Sequence, residues 1–158
     1  MTDDGSRFFS GLEISLHHTI PEIVRHSAER YGEKPFCIAE DGAETSFANF
    51  ADRVAAFGGE LMQMGVRKGD RIAVLAPNSV AWIIAATATM CIGAIMVPIN
   101  TRFKGPEIFH VLEKARVCAV CTVKSFLGTD YPAMIVAAAG GPGDGRLAAN
   151  LPNLRAII

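Results

Sequence analysis

An uncharged block in the middle of the chain constrains the fold more than any other feature of the sequence. No Asp, Glu, Lys, Arg or His occurs between Arg71 and Arg102, and residues 80–99 are almost entirely apolar. An apolar stretch of about 18 or more residues is long enough to cross a bilayer as one helix. The block therefore predicts either a transmembrane helix or the interior of a soluble domain.

Residues that begin and end helices divide this block and favour the soluble domain. Ser79 is a good N-cap, and Gly93 suits the position after a helix, where a left-handed backbone costs glycine little. A helix over residues 80–92 would then lie between two apolar runs of strand length, residues 71–75 and 94–99. Strands buried on both faces of a parallel sheet have such continuous apolar runs. We therefore expect a strand, a helix and a buried strand, and no transmembrane segment.

The rest of the chain continues this alternation. Further helices are expected over residues 19–32 and 46–64, from Pro106 to about Ala115, and from about Thr129 or Asp130, and further strands over residues 35–41, 117–123 and 154–158, with a short one after the hairpin signal Asp41-Gly42. Such alternation predicts an α/β fold, a mainly parallel sheet flanked by helices. We expect an N-terminal arm over residues 1–18 and one domain over residues 19–158.

The overall charge and the first residues narrow the function. The 158 residues carry a formal charge of −1, which gives no electrostatic reason to expect a nucleic-acid partner. The first residues are acidic, and no long apolar segment follows, so no secretory signal is visible. We expect a cytoplasmic protein with reduced cysteines.

A C-x-x-C pair is formed by Cys118 and Cys121. Such a pair can be a redox centre or half of a zinc site, but no second Cys or His pair stands at a suitable spacing. Alternation along a strand would place the two thiols on opposite faces. We interpret them as two buried free thiols, because free cysteine is among the most buried residue types.

A glycine cluster precedes the last predicted strand. It consists of Gly140, Gly141, Gly143 and Gly145. A phosphate-binding loop would need Lys followed by Ser or Thr, whereas Arg146 follows here, and the cluster comes after a helix rather than a strand. We interpret the cluster as a surface loop.

The four histidines show no ligand pattern. They are His17, His18, His26 and His110. His26 and His110 lie on predicted helices without a Cys or carboxylate at ligand spacing, and the sequence contains no G-x-S-x-G nucleophile motif. Surface or interface positions are therefore expected for them.

The strongest polar cluster, residues 100–104, follows the predicted strand 94–99. In open α/β sheets, ligands bind beyond the carboxyl ends of the strands. Arg102 and Lys104 would lie there, beside a helix that begins near Gly105, and both suit a phosphate group. The alternative interpretation is a solvated basic turn.

Several ordered motifs agree with one family. A G-V-x-x-G-D-R turn begins at Gly65, a P-N-S helix start at Pro77, a V-P-I-N-T-R segment at Val97 and a P-E helix at Pro106. With these motifs, residues 19–158 resemble the N-terminal region of the adenylate-forming superfamily, which contains acyl-CoA synthetases, adenylation domains and firefly-type luciferases. The V-P-I-N-T-R segment is most similar to acyl-CoA synthetases.

The resemblance implies an acid–thiol ligase that works in two steps. A carboxylic acid, here a fatty or otherwise hydrophobic acid, attacks the α-phosphate of ATP-magnesium and gives an acyl-adenylate and pyrophosphate. The thiol of coenzyme A then displaces AMP. Of the family's ligand contacts, only an Arg that approaches a phosphate of coenzyme A falls in this chain, and it corresponds to Arg102. No metal ligand or catalytic residue is implied here.

Other motifs of the family are missing from the sequence. The Thr/Ser/Gly-rich phosphate loop, the magnesium-binding Glu and the catalytic Lys of the C-terminal domain lie further on in its members. We therefore expect an N-terminal piece of a ligase that is inactive alone and that self-associates, as a homodimer for example, through exposed apolar surface. The alternatives are a non-catalytic binding or interaction module on the same scaffold, or part of a peptide-synthetase-type adenylation domain.

Overall fold

Residues 19–141 and 147–158 are described by a computed structural model. The predicted N-terminal arm, residues 1–18, lies outside the described residues, as do His17, His18 and residues 142–146 of the glycine cluster. In chain order the elements are α1 (Ile20–Tyr31), β1 (Pro35–Ile38), β2 (Glu44–Ser46), α2 (Phe47–Gln63), β3 (Arg71–Leu75), α3 (Val80–Cys91), β4 (Ile95–Pro98), α4 (Gly105–Lys114), β5 (Ala119–Thr122), β6 (Ser125–Phe126), β7 (Thr129–Asp130), α5 (Tyr131–Ala138) and β8 (Ala156–Ile157).

The uncharged block folds as a strand, a helix and a strand, as predicted. The Ser79 hydroxyl accepts the backbone N–H of Trp82 at 3.1 Å and begins α3. Gly93 follows the helix with a φ of +76°, a left-handed conformation that most side chains avoid. Buried Thr89 bonds the carbonyl of Ala85 at 2.8 Å, which satisfies its hydroxyl. Within the described ranges, no helix combines the length and the apolar character that crossing a bilayer requires.

The central sheet contains four parallel strands in the order β4-β3-β5-β8. β3 is therefore interior, whereas β4 pairs only with β3 in the described part of the chain. The expectation that residues 94–99 form a buried strand is wrong for β4, because Ile95 is 52% exposed and Pro98 is also exposed. Pro98 has no N–H to donate and is tolerated at an edge position.

Helices cover both faces of this sheet. On one face, α4 and α5 pack Ile108 and Ile135 against Ala73 and Leu75 of β3. On the other face, Leu61 of α2 and residues of α3 pack against the alternate residues of β3. Because β3 is covered on both faces, its sequence is continuously apolar rather than alternating.

A smaller unit packs on the outer side of α2 and α3. β1 and β2 form the antiparallel hairpin expected from Asp41-Gly42. Phe36 of this hairpin stacks on Phe50 of α2 with ring centroids 4.1 Å apart. α1 begins as expected, since the Glu22 carboxylate accepts the backbone N–H of Thr19 at 3.0 Å, and Gly32 ends it with a φ of +51°.

Two local features differ from the expectations. α4 begins one residue earlier than predicted, so that Pro106 is its second residue. Gly105 is buried there, and a Cβ on it would lie 3.0 Å from the Cβ of Ala138, so the close approach of α4 and α5 favours glycine. The two-residue strands β6 and β7 were not expected, because pairs this short leave no periodic pattern in a sequence.

Candidate functional site

Loops that follow β3 and β4 meet at the carboxyl end of the sheet and enclose an open cleft. Its volume is about 560 Å³, within the range of ligand pockets. The walls are formed by residues after β3, by the segment after β4 and by two aromatic rings: Ala76, Pro77, Asn78, Pro98, Ile99, Asn100, Thr101, Arg102, Trp82 and Phe126. The structure therefore places residues 100–102 at the carboxyl end of the sheet, where the sequence predicted them.

Hydrogen bonds fix the segment that carries Arg102. The Asn100 side-chain oxygen accepts the backbone N–H of Arg102 at 2.9 Å, and the Asn100 carbonyl accepts the N–H of Phe103 at 3.0 Å. From below, the buried Tyr131 hydroxyl donates to the Thr101 carbonyl at 2.9 Å. The backbone is thus held on both sides, while the exposed side chain of Arg102 is left in solvent.

The electrostatics of the cleft favour an anion. Arg102 is the one charged side chain among the residues that line it. Within the described ranges no carboxylate forms an ion pair with its guanidinium. Asn78 and Trp82, which flank the Ser79 N-cap, also line the cleft, so the positive end of α3 lies at the same wall. A guanidinium and a helix N-terminus together suit a phosphate or a carboxylate.

Lys104 does not join this site, contrary to the sequence expectation. Its side chain is exposed but is not part of the cleft wall. Its backbone N–H bonds the Glu107 carboxylate at 2.8 Å, so the positive end of α4 already faces a negative charge. The helix that contributes to the cleft is α3, for which the sequence interpretation had given no ligand-binding role.

A second cavity of about 410 Å³ adjoins the cleft and is mostly apolar. It lies between α2, α3 and the carboxyl ends of β3 and β5. Its walls include Phe57, Val74, Ala85 and Cys121, and it shares Ala76 and Trp82 with the cleft. The sequence interpretation missed this cavity, since its walls come from separate segments whose individual patterns predict only packing.

The cysteines are free thiols in apolar surroundings, as expected. Cys118 and Cys121 are buried, and both pack in the cluster on the α2–α3 face of the sheet. The prediction of opposite faces is wrong, because Cys118 precedes β5 and strand alternation does not extend to it. Burial, together with the neighbouring Cys118, raises the pKa of Cys121 to about 12, so the reactive thiolate is strongly disfavoured.

Metal ligation finds no support in the described residues. Across residues 19–141 and 147–158, no three His, Cys, Asp or Glu side chains come together in a group that could hold a metal ion. His26 and His110 are exposed on α1 and α4, in agreement with their predicted surface positions.

Comparison with known proteins gives one consistent family. The model of the AMP-binding enzyme family matches residues 24–150. A CoA ligase of Rhodococcus jostii, named for a methyl-dioxo-octahydroindenyl propanoyl group, is 36% identical over 112 residues, covering 71% of this chain and 22% of its own length. A putative acyl-CoA synthetase of Bacillus subtilis is 29% identical, covering 76% of this chain and 22% of its own length. The chain thus spans about a fifth of the length of these relatives.

Solved structures agree with this assignment. An anthranilate CoA ligase, AuaEII, solved with anthranoyl-AMP, superposes with a TM-score of 0.75 at 25% identity, over 92% of this chain and 25% of that chain. The N-terminal domain of FACL13 from Mycobacterium tuberculosis superposes equally well, with a TM-score of 0.75 at 23% identity, over 90% of this chain and 34% of that chain. The fold is that of N-terminal domains of adenylate-forming enzymes. Since the family model covers most of the sequence, the chain belongs to the AMP-binding enzyme family.

Proposed function

We propose that this chain is the N-terminal part of an acid–thiol ligase that makes acyl-coenzyme A. In the first step an oxygen of the acid's carboxylate attacks the α-phosphorus of ATP and expels pyrophosphate. In the second step the thiol of coenzyme A attacks the acyl carbon, loses its proton and releases AMP. The observation that carries the proposal is the open cleft whose one charged side chain is Arg102, in a chain of the AMP-binding enzyme family.

Within this reaction we assign Arg102 to a phosphate of coenzyme A. The side chain of Arg102 is exposed, while its backbone is held by a hydrogen bond to Asn100. It is the one charged side chain of the cleft wall. The role is binding rather than catalysis, since a guanidinium offers a phosphate several N–H donors in a fixed geometry. Residues 19–158 would form a partial subdomain that supplies this one contact, with residues 1–18 as an arm.

Binding of ATP and Mg²⁺ would depend on other parts of the ligase. The sequence lacks the family's Thr/Ser/Gly-rich phosphate loop, and the described residues offer no acidic cluster that fits Mg²⁺. We therefore expect the 158-residue chain to be inactive by itself. Its assay is pyrophosphate release with ATP, Mg²⁺ and a panel of acids, and acid-dependent release above the blank would contradict the expectation.

A hydrophobic acid is the proposed substrate. The names of the relatives support it, since they include the alicyclic propanoyl ligase and a medium-chain acyl-CoA ligase from rat. Formation of acyl-CoA from fatty or alicyclic acids by the full-length enzyme that carries this sequence is the expected result. An adenylate that accumulates without acyl-CoA would favour an adenylation domain, and the absence of both products would favour a non-catalytic module.

The contact of Arg102 is tested in the same full-length enzyme. Arg102→Ala should raise KM for coenzyme A by about 10-fold, because a hydrogen bond to a charged group contributes about 1.5–3 kcal/mol. The KM values for ATP and for the acid should stay unchanged. Lys104→Ala is the matched control, since Lys104 is a nearby exposed cation outside the cleft. Equal effects of the two variants would refute the assignment.

We propose that the ligase is cytoplasmic, a compartment in which its four cysteines would stay free thiols. The medium-chain relative from rat is named as mitochondrial, so relatives occupy more than one compartment. Cell fractionation followed by detection of the chain tests the proposal, and recovery in an organelle fraction would contradict it.

A further inference from the structure

The 410 Å³ cavity beside the Arg102 cleft has the character of a small-molecule site. Ligand pockets are typically concave, largely apolar and between about 300 and 1,000 Å³. Here two helices and the ends of two strands border the space, which is open to solvent on one side, so a ligand would contact apolar side chains of more than one element. A cavity of this size is large enough for a small organic molecule.

The inner wall of the cavity carries no charge. It contains Val74, Ala85 and Cys121, all of which are buried. Burial raises the pKa of Cys121 to about 12, so this thiol stays neutral at physiological pH. A charged group that entered this region would lose its hydration without gaining a partner, which is strongly unfavourable.

The rim carries charges of both signs. Arg53 and Glu60 are exposed on α2 and belong to the cavity wall. Because one is positive and the other negative, the side chains of the rim give no net preference for an anion or a cation. The Ser79 N-cap of α3 also borders the cavity, so what distinguishes the neighbouring cleft is Arg102, its one charged side chain.

Trp82 is the common wall of the two spaces. It lies on the first turn of α3, where its backbone N–H donates to the Ser79 hydroxyl. The same residue borders both the cavity and the cleft. It is also the single tryptophan of the chain. A molecule in the cavity would therefore change the environment of the one indole, and the intrinsic fluorescence reports directly on occupancy.

We propose that the cavity between α2 and α3 is a binding site for an uncharged aliphatic chain, separate from the anion-binding cleft and bordered by Trp82. The site selects its ligand by apolar contact and by size. Its ligand needs no phosphate and no carboxylate, and the proposal stands independently of the ligase activity.

The experiment is a fluorescence titration of the 158-residue chain with butan-1-ol, hexan-1-ol and octan-1-ol. We expect a saturable change in Trp82 emission, with an affinity that rises about fourfold for each added methylene group. An emission change that does not saturate, or an affinity that does not depend on chain length, would overturn the proposal. Sedimentation at the same concentrations shows whether the signal instead follows self-association, which would also overturn it.

Two neighbouring alanines on α2 provide a matched pair of variants. Ala56 belongs to the cavity wall and Ala55 does not, and both are exposed, so neither substitution threatens the core. Ala56→Phe should lower the affinity for octan-1-ol at least tenfold by filling the cavity, whereas Ala55→Phe should leave it unchanged. Equal losses in the two variants would refute the site.

Arg102→Ala separates this site from the proposed coenzyme A contact. Octan-1-ol binding should be unaffected by this substitution, because Arg102 does not border the cavity. A tenfold loss would show that cleft and cavity are one site and would overturn the proposal. The failure of the Arg102 assignment, by contrast, would appear only in the KM for coenzyme A.

Discussion

The arginines at the two ends of the parallel sheet differ in their hydrogen bonding. At the amino end, the Arg71 guanidinium donates to the carbonyls of Ala115 at 2.9 Å, Arg116 at 3.1 Å and Gly69 at 3.2 Å. At the carboxyl end, Arg102 is exposed and forms no ion pair within the described ranges. The same residue type thus stabilises the turn that follows α4 at one end and remains available at the other.

This contrast suggests how to recognise a ligand-binding cation in such a fold. A cation that already bonds several carbonyls contributes its free energy to folding. A cation on a rigid backbone without a partner contributes little to folding and can give its hydrogen bonds to a ligand. Arg155, near the amino end of the sheet, also has a partner, since its guanidinium donates to the Asp70 carboxylate at 2.9 Å.

The largest effect is expected from Arg71→Leu. The substitution removes three hydrogen bonds and leaves the carbonyls at the end of α4 without their donor. We expect a loss of about 2 kcal/mol in the free energy of unfolding, reduced from the sum of the bonds because two of them are exposed. Urea unfolding measures it, and a loss below about 0.5 kcal/mol, the usual range for a surface substitution, would break the comparison.

A pH-dependent effect is expected from Asp70→Asn. The backbone N–H of Arg67, assisted by Arg155, holds the pKa of Asp70 below its usual value of 3.8 although desolvation opposes this. The stability that this carboxylate contributes is therefore fully present above pH 3.8 and is lost as the pH falls through its lower, folded-state pKa.

Urea unfolding above and below pH 3.8 tests the role of Asp70. Asp70→Asn should lose less stability on acidification than the wild type. Arg155→Leu should keep most of the wild-type profile, since the backbone N–H of Arg67 is the larger cause. Identical profiles for Asp70→Asn and the wild type would argue against a paired role at this end of the sheet.

A third effect concerns Ile95. It is an exposed apolar residue at the amino end of the sheet, where the charged side chains of Arg71 and Arg155 have hydrogen-bond partners. Ile95 is 52% exposed on the edge strand β4, and such edges pair with other chains unless charges protect them. We propose that this edge drives self-association of the 158-residue chain. Ile95→Lys should shift sedimentation towards the monomer, while Ile38→Lys, at a position that is 62% exposed on the separate hairpin, should not. A wild-type chain that is monomeric at all concentrations would refute it.

The smallest effect on folding is expected from Arg102→Ala. Because this side chain has no ion-pair partner among the described residues, its removal should change the free energy of unfolding by less than about 0.5 kcal/mol. The same urea titration used for Arg71→Leu measures it. A loss as large as that of Arg71→Leu would show that the two ends of the sheet do not differ in the way described.

Local signals made much of this fold predictable. Ser79 and Gly93 divided the uncharged block correctly, because a cap and a left-handed glycine act on the adjacent backbone. The hairpin at Asp41-Gly42 and the placement of Arg102 after β4 followed from similarly local rules.

Features that depend on tertiary order were not predictable. The position of β4 at an edge of the sheet depends on which strands pair with it. A short apolar sequence does not show whether a strand has one neighbouring strand or two. The role of Trp82 depends on the meeting of α2, α3 and two strand ends, which no single stretch encodes. Cys118 was misplaced because the strand pattern was extended one residue beyond the start of β5.

The interior position of β3 has a consequence for hydrogen exchange. Its amides lie between β4 and β5, and its residues Ile72, Ala73, Val74 and Leu75 are 0–1% exposed beneath helices on both faces. These amides can exchange with deuterium only after β3 separates from both neighbouring strands and from the helices on both faces. Their exchange rate would therefore measure global unfolding, while the amides of β4 would exchange earlier through fraying of the edge.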